Sequence, residues 1–195
     1  MNETILGFSA AVAVAMPLAI AVVEWPILRR TVYPIVVVLQ SVPKVAIAPI
    51  LVVWIGFGPT PKVLVAALVC FFPIFLDTVA GLQSVPREEQ ELLRSLRAST
   101  ATMFLRLRFP HALPHIFVGL KVGITLAIVG AVVGEFVQSS EGLGYLILVS
   151  SVQANTPLAF AAMIVLAVMS VALFYAVEVL EGLLIPWAEH NIERD

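Results

Sequence analysis

Five long apolar stretches, separated by short polar segments, make up most of this sequence. They lie at about 5–23, 33–58, 63–81, 116–137 and 158–185. Each is close to, or longer than, the roughly 20 residues that a membrane-spanning helix needs. Barrel strands would be about ten residues long and would alternate in polarity. The pattern therefore predicts an all-α fold, a polytopic transmembrane helical bundle with five spans, in one domain covering residues 1–195.

The second stretch differs from the others because prolines and a charge interrupt it. Pro34, Pro43, Lys44 and Pro49 all fall within it. Proline removes a backbone donor and clashes with the preceding helical turn. This predicts either a kinked helix or a short helix followed by a span.

Composition supports a membrane protein. Hydrophobic residues make up 61% of the chain and charged residues 12%, against about 45–50% and about 25% in ordinary soluble domains. A soluble fold of this length could not bury so much apolar surface. A single cysteine, Cys70, excludes an internal disulfide framework.

The placement of the basic residues predicts an orientation. With five spans, ten of the eleven basic residues lie in or near one side, and Lys62 alone lies on the other. Basic residues favour the cytoplasmic side. The N-terminus is therefore predicted outside, and the long polar loop 82–115 and the C-terminus are predicted in the cytoplasm.

Loop 82–115 has the pattern of a helix–turn–helix. Leu92, Leu93 and Leu96 fall on one face of an amphipathic first helix. A second helix is expected to start near Ser99 and to stop before Pro110. Apolar residues displayed on such an element are typical of a surface that binds another protein.

The spacing in this loop resembles the EAA loop of ABC importer permeases. That motif is Glu-Ala-Ala, three residues, Gly, nine residues, then Ile-x-Leu-Pro, and here the matching positions start at Glu91 and end at Pro110. Leu92-Leu93 replaces Ala-Ala, and Arg97 replaces the glycine. Glycine at that turn permits a left-handed backbone. With arginine, we expect either a turn built differently or altered coupling.

Further segments are similar to the nitrate/sulfonate/taurine-type subfamily of these permeases. They include 33–43, 54–58, 134–136 and 142–145. The resemblance implies a type I importer permease fold in the bacterial inner membrane. Members usually have one more helix before the segment matching 5–23. That first helix is expected to be absent, either because the chain is a truncated form or because its start lies inside a longer reading frame.

The resemblance also implies a function and partners. The chain would form the translocation pathway for a small solute, an anion or organic anion such as sulfonate, taurine or nitrate. Its partners would be two copies of an ABC ATPase subunit, a second permease subunit in a homodimer, an extracytoplasmic solute-binding protein and membrane lipid, with no nucleic acid. The residues implied in coupling to the ATPase subunit are Glu91, Leu92, Leu93, Ser95, Leu96, Arg97, Ala98, Leu107 and Pro110.

No catalytic role is predicted for the chain itself. It lacks a Gly-x4-Gly-Lys-Ser/Thr loop to cradle ATP phosphates, so ATP hydrolysis would belong to a partner. An intramembrane enzyme would need paired catalytic residues, and only Glu135 approaches that role. A degenerate or truncated permease acting as a non-transporting scaffold is the alternative function.

Four polar residues leave roles open. Glu135, near the outward end of the fourth span, is a candidate for a pathway, gating or structural role, since intramembrane acids are often functional. Lys121 is expected to reach the cytoplasmic interface. His111 and His115 are four apart, but Pro110 and Pro114 argue against a regular helix there. We therefore expect neither a metal site nor a cofactor.

Overall fold

The computed structural model describes residues 1–187, and all regular structure within them is helical. The predicted placement of the C-terminus, with Arg194, lies outside the described residues. The helices are α1 (Asn2–Glu24), α2 (Pro26–Gln40), α3 (Ala48–Ile55), α4 (Pro59–Gln83), α5 (Arg87–Ser95), α6 (Thr100–Met103), α7 (Phe109–Gln138), α8 (Leu143–Val152) and α9 (Thr156–Leu184).

Four of these helical segments are long and apolar enough to cross a membrane. They are α1, α4, the segment Thr100–Val137 that contains α7, and α9. The helices α2 and α3 would form a fifth if their bent pair counts as one span. The predicted fold class, an all-helical bundle with several apolar spans, is confirmed.

A sharp break divides the apolar stretch predicted at 33–58. The helix α2 ends at Gln40, and a short 3-10 helix (Lys44–Ile47) leads into α3. The two arms are bent by 87°. Pro43 accounts for the position of the break, because the residue before a proline is disfavoured in helical conformation.

The core forms where α1 and α7 pack on α4 through small residues. Four glycines of α7 face α4. At Gly130 an added Cβ would lie 2.6 Å from the Ala66 Cα, and at Gly134 it would lie 3.0 Å from the Lys62 Cα. The buried face of α1 is also small, with Ala11, Ala15 and Ala19 fully enclosed. Small residues let helix backbones approach closely, and in a membrane this packing drives association.

The second helix of loop 82–115 does not stop before Pro110, contrary to the sequence prediction. A π-helix at Phe104–Arg108 joins α6 to α7, and the Phe109 N–H bonds to the Phe104 carbonyl. In a regular helix the Pro110 ring would clash with the carbonyl of Arg106. The wider π turn displaces that carbonyl, so the chain stays helical from Thr100 into the membrane.

Replacing Gly130 with valine should destabilise the bundle by about 1–3 kcal/mol, the typical cost of overpacking. The added atoms would meet α4 backbone, which cannot move aside as a flexible side chain can. The measurement is thermal unfolding of the detergent-solubilised protein. The control is Val129→Ile, at an exposed neighbouring position, which should leave the midpoint unchanged. Equal midpoints for both variants would contradict the close packing.

Candidate functional site

The helix α5 and its C-cap residue present two leucines away from the bundle. Leu92 and Leu96 are 61% and 70% exposed, while Leu93 is half-buried. Glu88 and Glu89 occupy the first turn, and Arg94 the last, in accord with the helix dipole. Isolated apolar side chains on a short, charged helix outside the bundle form a surface suited to a protein partner.

Arg97 adopts the left-handed conformation that the motif glycine would allow. Its φ is 55°. The Ala98 N–H bonds to the Leu93 carbonyl at 3.0 Å, and the Arg97 N–H bonds to the Arg94 carbonyl at 2.9 Å. These two bonds define a Schellman C-cap. Of the two expected alternatives, a differently built turn is therefore wrong, and arginine bears the steric cost of the left-handed backbone. Altered coupling stays a prediction.

Ser99 starts the second helix of the loop. Its Oγ accepts a hydrogen bond from the Thr102 N–H at 3.1 Å, which caps α6. Of the remaining predicted coupling positions, Leu107 and Pro110 lie where the π-helix passes into α7. They line a cleft and are not grouped with the exposed leucines of α5.

Arg108 connects loop 82–115 to the bundle, a role that the sequence analysis missed. Its guanidinium donates to Glu24 Oε1 at 3.0 Å and to Gln90 Oε1 at 3.3 Å. Glu24 ends α1 and Gln90 lies in α5, so one side chain joins three helices. The sequence contained one indication of this contact. Glu24 and Arg108 each lie at the end of an apolar run, and both ends are on the same side of the bundle.

Glu135 fastens the start of α8 to α7. Its Oε2 accepts a hydrogen bond from the Gly144 N–H at 2.6 Å. An added Cβ at Gly142 would lie 2.4 Å from the Glu135 carboxylate, and Gly142 has a φ of 111°. Glycine is thus required there for both space and conformation. The carboxylate meets the positive end of α8, which favours the anion.

Lys121 pairs with an acid on another helix. Its Nζ lies 2.7 Å from Glu181 Oε2 and 5.8 Å from the centroid of the Phe174 ring. Both partners belong to α9, which is otherwise little buried. The lysine predicted to reach the interface therefore also holds α9 against α7.

The two histidines lie on a regular helix, contrary to the prediction. His111 and His115 are one turn apart in α7 and line a cleft of about 720 Å³ between α7 and α9. Arg106, Lys121 and Glu178 also line this cleft. Within residues 1–187, no group of three or more His, Cys, Asp or Glu side chains is placed to hold a metal ion.

Comparison with known structures first identifies the class. A chain of the MetNI methionine ABC transporter, solved in inward-facing conformations, superimposes with a TM-score of 0.78. The match covers 92% of this chain and 90% of the other at 18% identity. The chain therefore has the type I importer permease fold.

Sequence comparison then shows the family. Residues 5–190 match the binding-protein-dependent transport system inner membrane component, and the chain belongs to that family. Its members are membrane subunits that are not themselves catalytic. Together with its apolar helices, this makes the chain an inner-membrane, multi-pass protein.

Three relatives illustrate the range of similarity. The chain is 35% identical to the formylaminopyrimidine transport permease protein ThiX of Halalkalibacterium halodurans, over 82% of this chain and 64% of that protein. It is 39% identical to the riboflavin transport system permease protein RibX of Chloroflexus aurantiacus, over 85% and 61%. It is 30% identical to the taurine transport system permease protein TauC of Escherichia coli, over 96% of this chain and 68% of that protein. The chain thus spans less than two thirds of the first two relatives.

Arg97→Gly should strengthen the end of α5 by about 1 kcal/mol, because glycine adopts a left-handed backbone without the Cβ penalty. Hydrogen exchange of the Arg97 and Ala98 amides should slow about fivefold. The matched control is Arg94→Gly, three residues earlier in regular helix, where glycine is unfavourable and exchange should accelerate. The same direction of change in both variants would count against the left-handed cap.

Glu135→Ala should loosen the start of α8. A hydrogen bond to a charged group contributes about 1.5–3 kcal/mol, and its loss leaves the Gly144 N–H without its acceptor. Hydrogen exchange over 142–146 should accelerate at least tenfold. Glu141→Ala, on the neighbouring exposed loop, should leave the exchange unchanged. Unaltered exchange in Glu135→Ala would show that the carboxylate does not hold α8.

Proposed function

We propose that this chain is the permease subunit of an ABC importer. It forms a translocation pathway for a small solute, most simply an anion or organic anion, and couples to a separate ATPase subunit. Relatives are named for transport of formylaminopyrimidine, riboflavin and taurine. The resemblance of segments such as 33–43 to nitrate/sulfonate/taurine-type permeases supports an anionic solute. Identity is higher to the relatives named for formylaminopyrimidine and riboflavin, at 35% and 39%, than to the taurine relative at 30%, so a vitamin or vitamin precursor is the alternative solute.

The single observation that carries coupling is the connection of an exposed leucine-bearing helix to the spans. Leu92 of α5 and the C-cap residue Leu96 lie outside the bundle. Arg108 ties α5 to the end of α1 through Gln90 and Glu24. Because α6, the π-helix and α7 are continuous, displacement of the loop would move α7 as a rigid body.

In this proposal, Glu91 through Ala98 dock in the ATPase subunit, and the end of the bundle that bears α5 faces the cytoplasm. Leu107 and Pro110 would transmit the movement at the base of α7. Two ATPase subunits would serve two permease copies in a homodimer. A solute-binding protein would dock at the other end, near Lys62 and Glu141. ATP-driven movement would produce alternating access by rigid-body motion of the spans.

Glu135 would have a gating role in this scheme, by supporting α8 at the end of the bundle opposite α5. Its bond to the Gly144 N–H fixes α8 relative to α7. Substrate contact is not needed to explain its place in the bundle. The competing function, a non-transporting scaffold, would keep the fold without productive coupling. It predicts a stable membrane protein that does not retain an ATPase subunit.

Leu96→Arg should reduce retention of the ATPase subunit encoded beside this chain by at least tenfold. Burying one leucine at an interface contributes about 1.5–3 kcal/mol, and an arginine there would also require desolvation of its charge. The measurement is co-purification from membranes in mild detergent. Val152→Arg, an equally exposed apolar position at the far end of the bundle, should retain the subunit.

The outcomes separate the two functions. Full retention by Leu96→Arg would show that α5 is not the docking helix. Failure of the wild-type chain to retain any ATPase subunit would reject the importer function and favour the scaffold. Equal loss in both arginine variants would indicate a general effect on folding.

A further inference from the structure

The break between α2 and α3 lies at the middle depth of the bundle. The Nζ of Lys44 lies 4.4 Å from the centroid of the Phe72 ring, and Phe72 is near the midpoint of α4. At 1.5 Å per residue, Phe72 is about 20 Å along the helix from Pro59 and about 17 Å from Gln83. Lys44 is therefore remote from both ends of a helix long enough to span, contrary to the sequence analysis, which placed it in or near the cytoplasmic side.

Irregular backbone at this depth restricts what the break can face. Between α2 and the 3-10 helix, Ser41, Val42 and Pro43 are non-helical and exposed. Irregular backbone in the hydrocarbon region is tolerated only where protein buries it or where it lines a water-filled cavity. Contact with lipid is therefore excluded for this segment of a membrane-spanning chain.

Polar side chains are concentrated at the same point. Over residues 34–58, apart from the indole of Trp54, the polar side chains are Gln40, Ser41 and Lys44. All three fall within five positions at the break. A dry interface with another protein surface would favour apolar residues here, whereas a water-filled pathway accommodates this cluster.

Lys44 differs from the other two lysines in having no acidic partner. Lys62 pairs with Glu3 at 3.1 Å, and Lys121 pairs with Glu181 at 2.7 Å. The ammonium of Lys44 donates to the Gln40 carbonyl and lies over the Phe72 ring. Within the described part of the chain, no carboxylate lies within 4.0 Å of it. A charge at this depth is costly unless water or an anion meets it.

We infer that the break at Ser41–Lys44 lines the solute pathway and that Lys44 is a charge-selecting residue within it. The fixed cation at mid-depth favours solutes with an anionic group, such as a carboxylate, sulfonate or phosphate, and disfavours cations. Discontinuous helices near the bilayer midplane provide such sites in other transporters. This inference rests on the proposed function and adds the residue that selects by charge.

The test measures electrical potential at the break with two thiol reagents of opposite charge. Ser41→Cys is introduced in a Cys70→Ala background, and the chain is co-expressed with its ATPase subunit in membrane vesicles. Labelling rates are measured with anionic sulfonatoethyl methanethiosulfonate and cationic trimethylammonioethyl methanethiosulfonate. The ratio of the two rates cancels any effect of Lys44 on the reactivity of the thiol itself.

With Lys44 present, both reagents should label Ser41→Cys, and the anionic reagent should be favoured. Lys44→Met should lower the anion-to-cation rate ratio about five- to tenfold, the change expected from one nearby unit charge in water-like surroundings. Lys44→Arg should preserve the ratio. Arg30→Met, which removes an exposed cation about 15 Å from Gln40 along α2, is the matched control and should also preserve it. If Lys44→Met fails to fold, Lys44→Gln replaces it.

Two results would overturn the inference. If neither reagent labels Ser41→Cys, the break is not in a water-filled pathway. Labelling with a ratio unaffected by Lys44→Met would show that Lys44 does not set the local potential. Retention of the ATPase subunit is checked on the same vesicles. Retention without labelling rejects this inference alone, whereas loss of the subunit from the parent chain rejects the proposed function.

Discussion

The glycines of α7 let this helix lie against α4 with almost nothing between the two backbones. At Gly130 the space for a Cβ is already taken by the Ala66 Cα. Within the bilayer, no hydrophobic gain drives helices together, so close packing of this kind must hold the bundle. The positions of α1, α8 and α9 all depend on this pair, because each packs on α4 or α7.

The close packing of α7 on α4 also connects loop 82–115 rigidly to the apolar helices, because this loop continues directly into α7. The π-helix at Phe104–Arg108 lets the chain remain helical through Pro110. The helix α6 therefore continues into α7, which packs on α4. Arg108 adds a second connection, from α5 to the end of α1. In the proposed function, the exposed side chains of Leu92 and Leu96 and this stiff connection to the core would carry movement of an ATPase subunit to the spans.

Of the three lysines, all of which lie in the described part of the chain, two pair with a carboxylate and Lys44 does not. Lys62, Arg108 and Lys121 each meet a carboxylate on a different helix. These pairs join distant segments of the chain. Lys44 lacks such a partner and lies at the break between α2 and α3, where irregular backbone also requires water or protein. The paired side chains of Lys62, Arg108 and Lys121 stabilise the fold. The unpaired ammonium of Lys44, by the inference above, is available to a solute.

The sequence alone determined the all-helical class, because runs of apolar residues near the length of a bilayer leave few other structures with satisfied backbone groups. The EAA-type spacing from Glu91 to Pro110 was sufficient to identify the family, since it depends only on local order along the chain. The pairs Gly119/Gly123 and Gly130/Gly134 have the small-residue spacing of a helix packing face, and the structure packs them on α4 of the same chain.

Tertiary structure decided what local rules could not. Local steric preference argued against a left-handed Arg97 and against helix through Pro110, yet the Schellman bonds and the π turn accommodate both. The partners of Glu135, Arg108 and Lys121 depend on which helices are neighbours, and no spacing in the sequence encodes them. The depth of Lys44 in the bundle likewise follows only from its contact with Phe72. Because the chain bends sharply between α2 and α3, the position of Lys44 in the sequence does not determine its depth.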